Sequence, residues 1–270
     1  MESFLFIQQF ATLYDILCGK IHRNEKELLV IMVRFVYVIV MRVFSIMYFV
    51  PKMSYYASHP EKYTEEDRYG LALGIIDRVR RTARVTTEYE GIENLPDENG
   101  YIMFSNHQDK YDALGIMAGH KRPCSVLMDK KRSNMFIAKQ FIDLIAGQRI
   151  EQNSPRQQIR VLNNIAKEVG EGRIYLIFPE GGYGKKTDNS VADFKYGCFI
   201  SAIKAKCPIV PVAIIDSYKA FGSNSLKKVK TKVIYMKPIT YDEYKGMKAP
   251  ELCEMVKSII AEEIERQTSK

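Results

Sequence analysis

The stretch that decides the fold is residues 101–112, Tyr-Ile-Met-Phe-Ser-Asn-His-Gln-Asp-Lys-Tyr-Asp. Its first four residues are apolar, as is typical of a buried β-strand, and His107 and Asp112 follow closely. A strand that delivers a histidine to its carboxyl end, with an aspartate close behind, can place a general base beside the group that orients it. The alternative is a structural histidine, because a chain with 4 histidines can place one near an acid by chance.

Strand-like and helix-like segments alternate downstream of this stretch. Apolar runs at residues 125–128, 173–178, 208–215 and 232–236 predict strands. Segments with helical periodicity lie between them, and residues 250–267 predict a closing helix. Ser154, Pro155 and Gln157 have the spacing of a capping box at one helix start. This alternation predicts an α/β domain with a largely parallel sheet flanked by helices, whose reactive residues gather at the carboxyl ends of the strands.

The amino-terminal third is strongly apolar. Residues 28–50, LLVIMVRFVYVIVMRVFSIMYFV, are long enough to cross a bilayer as a helix, and residues 3–18 form a second apolar segment. Arg34, Arg42 and Ser45 share a narrow helical sector, as in a helix that lies in the membrane interface with its cations at the headgroups. Basic residues between the segments and beyond the second one give no asymmetry that would orient a span. A cleavable signal peptide is not expected, because Glu2 stands where such a peptide has basic residues.

We therefore expect three parts in the chain: a membrane-associated helical hairpin over residues 1–57, a helical connector over 58–84, and a catalytic α/β domain over 85–270. A buried helix pair inside the globular domain is the alternative to the hairpin. Whether the hairpin lies on the membrane or spans it stays open.

Composition limits the function class. The 5 cysteines are scattered without C-x-x-C spacing, so we expect neither a disulfide framework nor a metal site, and a reducing compartment. The net charge of +8 favours an anionic partner, which could be nucleic acid, an anionic membrane or a phosphorylated substrate. Lysine and arginine outnumber acids between Lys121 and Arg160, although a solvated basic face would show the same excess.

A second group of residues, 178–186 (FPEGGYGKK), joins a strand end to a glycine-rich loop and two lysines. Glycines let the backbone approach a ligand closely, and backbone amides with ammonium groups can hold an anion. A P-loop is excluded because Pro179 and Lys186 stand where that motif requires glycine and serine or threonine.

Four blocks of this sequence together resemble the glycerolipid acyltransferases typified by bacterial 1-acyl-glycerol-3-phosphate acyltransferase. The blocks are Asn106 with His107-x-x-x-x-Asp112, the Lys130-Lys131 stretch with Gly147, Phe178-Pro179-Glu180-Gly181, and Pro208-Ile209-Val210-Pro211. The resemblance covers about residues 85–236, and both the order and the spacing of the blocks match.

The resemblance implies roles for these residues. His107 would be the general base that takes the proton from a glycerol hydroxyl as it attacks an acyl thioester, and Asp112 would hold the imidazole in the correct tautomer. No covalent acyl-enzyme and no cofactor is implied, since acyl-CoA or acyl carrier protein is the donor substrate. The implied substrate-binding residues are Asn106, Lys130, Lys131, Arg149, Glu180, Gly181, Gly182, Lys185, Lys195 and Pro211.

The resemblance further implies an enzyme of phospholipid synthesis that acylates lysophosphatidate to phosphatidate. We expect it at the cytoplasmic face of the cell membrane, with an anionic membrane surface and no nucleic acid as partner. Tyr183 stands where the family's third block usually has an arginine for the acceptor phosphate, so another lysolipid or glycerol 3-phosphate stays open as acceptor. Gln152 likewise replaces an arginine that commonly follows the acid of the second block, and Arg149 is a candidate substitute. A catalytically degenerate membrane-binding protein is the remaining alternative.

Overall fold

The computed structural model describes residues 33–182, 188–222 and 225–269. Its strands, in chain order, are β1 (Val85–Glu90), β2 (Ile102–Ser105), β3 (Ser125–Asp129), β4 (Gln148–Ile150), β5 (Tyr175–Ile177), β6 (Ile209–Ile215) and β7 (Val229–Tyr235). They form one 7-stranded sheet in the order β1-β7-β6-β2-β5-β3-β4. Every pair of neighbouring strands is parallel except the pair β6–β7, which is antiparallel. The predicted α/β class with a largely parallel sheet is confirmed.

Helices precede the sheet and connect its strands. They are α1 (Val33–Met41), α2 (Val43–Ser58), α3 (Glu65–Ala83), α4 (Asp112–His120), α5 (Lys130–Ser133), α6 (Ala138–Leu144), α7 (Pro155–Gly170), α8 (Phe199–Ala205), α9 (Tyr218–Phe221), α10 (Tyr241–Tyr244) and α11 (Ala249–Thr268). Most of the predicted strands and helices are present within a few residues of their expected bounds. β1, β4 and the bend between α1 and α2 are additions that the sequence patterns did not predict.

Strand β2 is central because both of its faces are apolar. Ile102 and Phe104 belong to a core shared with α7, α8 and α11, whereas Met103 belongs to a second core shared with α2, α3 and α4. The Phe104 ring stacks on Phe199 of α8 with centroids 4.1 Å apart. Because helices cover both faces of the sheet, polar side chains reach solvent mainly where the strands end.

The first two described helices are not one straight span. α1 and α2 meet at a 77° bend. Among the described residues, no single helix is both long and apolar enough to cross a bilayer, although this bent pair meets the test when taken together. The amino-terminal arm of the expected hairpin lies outside the described residues.

Arg34 does not face a membrane. Its side chain is fully buried, and it donates hydrogen bonds to the backbone carbonyls of Ala220 at 3.1 Å and Lys227 at 2.7 Å. A buried guanidinium needs such acceptors because its desolvation is costly. The expectation that Arg34 lies among lipid headgroups is therefore wrong, and this arginine joins α1 to the segment that follows β6.

The capping box expected at the start of α7 is also wrong. Pro155 does occupy the first turn, but the Ser154 side chain makes no capping hydrogen bond. The Gln157 carboxamide instead accepts from the Glu151 N–H at 2.9 Å and donates to the Arg149 carbonyl at 2.7 Å. It thereby ties α7 to the end of β4, an edge strand that is only half-buried.

The connector predicted over residues 58–84 contains helix α3, which begins with a capping box between Thr64 and Asp67. Its buried residues Tyr69, Ala72 and Ile76 belong to the core beneath the sheet. The boundary at residue 85 coincides with the start of β1 and stays a prediction, because α3 packs against the domain that the boundary would exclude.

Candidate active site

Three adjacent parallel strands, β5, β2 and β6, bring the chemically interesting residues to one edge. His107 follows β2, Glu180 follows β5 and Ser217 follows β6. Because parallel strands end at the same edge of a sheet, loops that are far apart in sequence meet there.

The centre of the site is a hydrogen bond of 2.6 Å between His107 Nδ1 and Asp112 Oδ2. The Asp112 side chain is 0% exposed, whereas the His107 side chain is 14% exposed. With Nδ1 bonded to a carboxylate, the proton of the neutral ring lies on Nδ1, and Nε2 is the basic nitrogen. The structure thus brings the two predicted catalytic residues together in the arrangement that a general base requires.

The Asp112 carboxylate is stabilised by several donors. Oδ2 also accepts the backbone N–H groups of Gln108 and, at 2.9 Å, of Asp109. Oδ1 accepts the Ser217 hydroxyl at 2.6 Å. Asp112 is in addition the first residue of α4, where the helix dipole favours a negative charge.

The imidazole ring is also fixed from the side of β5. Phe178 stacks on it with ring centroids 4.2 Å apart and planes 22° apart. Glu180, which is 8% exposed, accepts the His107 backbone N–H through Oε1 at 3.0 Å. Glu180 therefore joins the two predicted blocks by holding the backbone of His107.

The glycine turn after Glu180 lies beside two cations. Gly181 has φ +73°, and a Cβ there would lie 2.6 Å from Lys195 Nζ. A Cβ on Gly182 would lie 3.9 Å from Arg132 Nη1. Gln152, which replaces the family's arginine, donates from Nε2 to the Gly181 carbonyl at 3.0 Å. Lys195 was a predicted site residue, and the turn brings Arg132 to the same place.

The other predicted cations lie in different surroundings. Lys130 forms an ion pair with Glu151, and Arg149 Nη2 lies 2.6 Å from Asp143 Oδ1. Lys131 is exposed on α5. Lys185 and Tyr183 lie outside the described residues. Contacts of all these residues with a substrate remain predictions.

Asn106 and Pro211 have evident structural partners. The Asn106 carboxamide, fully buried, accepts the Ile214 N–H at 2.8 Å and donates to the Ile214 carbonyl at 2.9 Å, so it extends the pairing of β2 with β6. Pro211 lies inside β6, opposite Phe104 of β2, and its carbonyl accepts from the N–H of Met236, just past β7. Proline fits this position because β7 has already ended there. Substrate contact by either residue stays a prediction.

Sequence reasoning missed Ser217, Phe178 as the stacking partner, and Arg132. Ser217 directly follows the apolar run of β6 on the edge that carries His107, and this position was the signal that could have indicated it. Arg132 is held by the Asp129 side chain, which accepts the Arg132 N–H at 3.0 Å, and nothing in the sequence pattern separates it from its basic neighbours.

Burial raises the pKa of the Asp109 carboxyl, next to the His107–Asp112 pair, to about 6. Lys110 at 4.0 Å and a hydrogen bond from the Phe221 N–H act in the opposite direction. Among the described residues, no group of His, Cys, Asp and Glu side chains is arranged to hold a metal ion.

Known proteins resemble this chain in sequence and in fold. Residues 86–215 match the family model described as Acyltransferase. A chloroplastic 1-acyl-sn-glycerol-3-phosphate acyltransferase of Brassica napus is 29% identical over 190 residues, which are 65% of this chain and 50% of the relative. The alpha form of the enzyme from Ovis aries is 26% identical over 183 residues, 64% of this chain and 61% of the relative. The chain thus spans between half and about three fifths of the length of these curated relatives.

The crystal structure of the 1-acyl-sn-glycerophosphate (LPA) acyltransferase PlsC from Thermotoga maritima has the same fold. Its TM-score is 0.71 at 20% identity, over 92% of this chain and 99% of that one. The family model, the relatives and the shared fold together support membership of the acyltransferase family. Within that family, it is similar to the 1-acyl-sn-glycerol-3-phosphate acyltransferases.

Proposed function

We propose that the protein transfers a fatty acyl group from an acyl thioester, acyl-CoA or acyl carrier protein, to the free hydroxyl of lysophosphatidate, giving phosphatidate. The observation that carries the proposal is the 2.6 Å hydrogen bond between His107 and a buried Asp112. A degenerate membrane-binding protein would have no need to hold this pair in a catalytic geometry.

The reaction needs only groups that the chain and its substrates supply. His107 Nε2 takes the proton of the acceptor hydroxyl as its oxygen attacks the thioester carbonyl. Asp112 stabilises the imidazolium that results. The tetrahedral intermediate then collapses, the carbon–sulfur bond breaks, and the leaving thiolate takes the proton from the imidazolium. The products are the new ester and the free thiol, and His107 is again neutral.

The acceptor phosphate is proposed to lie against the glycine turn, between Lys195 and Arg132. The Lys195 ammonium is packed over Gly181, and the Arg132 guanidinium approaches Gly182. Arginine and lysine side chains are the usual ligands of phosphate groups. Arg132 of α5 would then supply the positive charge that the family's arginine provides at the position of Tyr183.

Membrane attachment is proposed to use the exposed apolar side chains of α1 and α2. Phe44 is 83% exposed, Tyr48 62% and Met47 54%, and these side chains lie on one face of α2. Such a face is typical of a helix lying in a membrane interface. Flotation with anionic phospholipid vesicles tests this part: Phe44→Glu together with Met47→Glu should lower the bound fraction, and unchanged flotation would contradict it.

An acyl-transfer assay tests the reaction. Purified full-length protein would be combined with acyl-CoA or acyl carrier protein donors and with phosphorylated or unphosphorylated lysolipid acceptors in mixed micelles. His107→Ala should abolish transfer, because general-base catalysis contributes about 100- to 10,000-fold. His59→Ala is the matched control, since that ring contacts only its helix neighbours Tyr55 and Ser58 among the described contacts. Equal rates for His107→Ala and the wild type would contradict the proposed mechanism.

The acceptor panel separates lysophosphatidate from the alternatives. Transfer to a neutral-headgroup lysolipid or to glycerol 3-phosphate, with none to lysophosphatidate, would replace the acceptor but keep the reaction. Lys195→Met and Arg132→Met should each raise KM for a phosphorylated acceptor about tenfold or more and change KM for the thioester little. Lys167→Met, an exposed lysine of α7 paired with Glu171, is the control. If the phosphate binds elsewhere, neither variant will change KM for the phosphorylated acceptor.

A further inference from the structure

Ser217 touches the oxygen of Asp112 that does not face the histidine. Its hydroxyl lies 2.6 Å from Asp112 Oδ1, and both side chains are fully buried. A buried carboxylate oxygen needs a donor, and Ser217 supplies one from the loop after β6. The catalytic carboxylate is thus held between two strand ends, with His107 on the side of β2 and Ser217 on the side of β6.

Gln108 fixes the position of Ser217. Its Oε1 accepts the Ser217 backbone N–H at 3.0 Å and lies 2.8 Å from the Ser217 hydroxyl. The hydroxyl has one proton and two possible acceptors, and an ionised carboxylate is the stronger of them. Gln108 Nε2 in turn donates to Asn189 Oδ1 at 3.0 Å, and that oxygen also accepts the Asp216 N–H at 2.8 Å.

We propose that Ser217 is a positioning residue for the acyl transfer proposed above, on which this inference rests. Its hydroxyl holds the Asp112 carboxylate in the orientation that His107 requires, and the hydroxyl proton offsets part of the negative charge that the imidazole experiences. Removing this hydroxyl has two consequences: the carboxylate loses one fixed contact, and its full charge acts on the protonated ring.

The expected phenotype has three parts. Ser217→Ala should lower kcat about 10- to 100-fold, the range of a lost hydrogen bond to a charged group. KM for donor and acceptor should stay within about twofold, because a fully buried Ser217 contacts neither substrate. The acid limb of the pH–rate profile should move to higher pH, since the protonated ring is favoured when Asp112 is less neutralised.

Other charged groups around the pair stay in place in this variant. They are Asp109 with Lys110, Glu180 beneath the His107 backbone, and Asp216 paired with Lys219 at 2.8 Å. Repeating the pH profile of Ser217→Ala in an Asp109→Asn background excludes the nearest of these carboxyls as the source of the shift.

Two further variants separate positioning from a merely structural role. Ser217→Thr keeps the hydroxyl and should recover kcat to within about threefold of wild type together with its pH profile. Ser201→Ala is the matched control, because Ser201 is equally buried but donates to the Cys198 carbonyl at 2.6 Å, away from the site. Thermal melts of each variant report folding.

The outcomes are distinct. If the wild type shows no acyl transfer, the proposed function fails. If the wild type is active and Ser217→Ala keeps its kcat and its pH profile, the inference about Ser217 is overturned. A loss of activity that follows only the folded fraction, with an unmoved acid limb, overturns it equally, because that is the result of a structural role.

Discussion

Replacing Asp112 with Asn is the sharpest test of how the catalytic pair works. Asp112 Oδ2 faces three N–H donors: His107 Nδ1 and the backbone N–H groups of Gln108 and Asp109. An asparagine must therefore turn its carbonyl oxygen to that side and its amide toward Ser217. The Ser217 hydroxyl can then accept from the amide and donate its own proton to Gln108 Oε1, 2.8 Å away. We expect the variant to fold with His107 correctly oriented.

What Asp112→Asn removes is the negative charge. Two unit charges about 4 Å apart interact by about 4 kcal/mol at an effective dielectric constant of about 20, and the hydrogen bond alone weakens by about 1–2 kcal/mol when its acceptor becomes neutral. The imidazolium formed during transfer should lose about 2–4 kcal/mol of stabilisation. We therefore expect kcat to fall about 30- to 1,000-fold.

Steady-state acyl transfer across pH checks this estimate, with urea unfolding as the test of folding. The acid limb should move to lower pH, opposite to the shift expected for Ser217→Ala. Asp77→Asn, which removes the partner of Arg81 on the exposed face of α3, is the control. A folded Asp112→Asn enzyme with kcat within threefold of wild type, or with an acid limb at higher pH, would refute the electrostatic role of Asp112.

Three stability predictions follow from buried polar groups. Burial raises the pKa of Asp109 to about 6 from 3.8, so the folded state keeps this proton to a higher pH than the unfolded state does. The free energy of unfolding should therefore fall by about 3 kcal/mol as pH rises from about 4 to about 6. Asp109→Asn should abolish this loss, measured by urea denaturation across that pH range. Burial lowers the pKa of His120 to about 4 from 6.5, and its ring accepts a hydrogen bond from the Tyr101 hydroxyl. The free energy of unfolding should therefore rise by about 3 kcal/mol as pH increases from about 4 to about 6.5. His120→Gln should remove that rise. Asn106→Ala leaves the N–H and carbonyl of Ile214 without their partner and should lower the free energy of unfolding by about 2–5 kcal/mol at every pH, measured by urea denaturation; a cost below about 1 kcal/mol would contradict the pairing role.

The strand that carries His107 could be predicted because its signals are local. Residues 101–104 are apolar at every position, and a strand buried on both faces by helices has such a pattern. The β6 run was predictable for the same reason. β4 was not, because its three residues are half-buried and lie at the edge of the sheet. β1, with its alternating polar residues, reads as a loop or an edge until its pairing with β7 is known.

The partners of polar side chains were less predictable than the strands. Arg34 reads as a membrane-interface cation in a local window, because its acceptors lie more than 180 residues away along the chain. Gln157 fits a capping box by spacing, but Arg149 of β4 offers it a carbonyl and Glu151, just past β4, offers it an N–H. In both cases a polar side chain takes backbone partners outside its own helix.

The order of the strands explains why the blocks of the candidate site are so far apart in sequence. β2 lies between β5 and β6, so the loop after β2 meets the loops after both neighbours. Glu180 then fixes the backbone of His107 from one side, and Ser217 fixes the side chain of Asp112 from the other. Each contact acts on a different part of the pair, so neither contact can compensate for loss of the other. We infer that the backbone placement of the proposed base and the charge placement of its partner are set by separate strands.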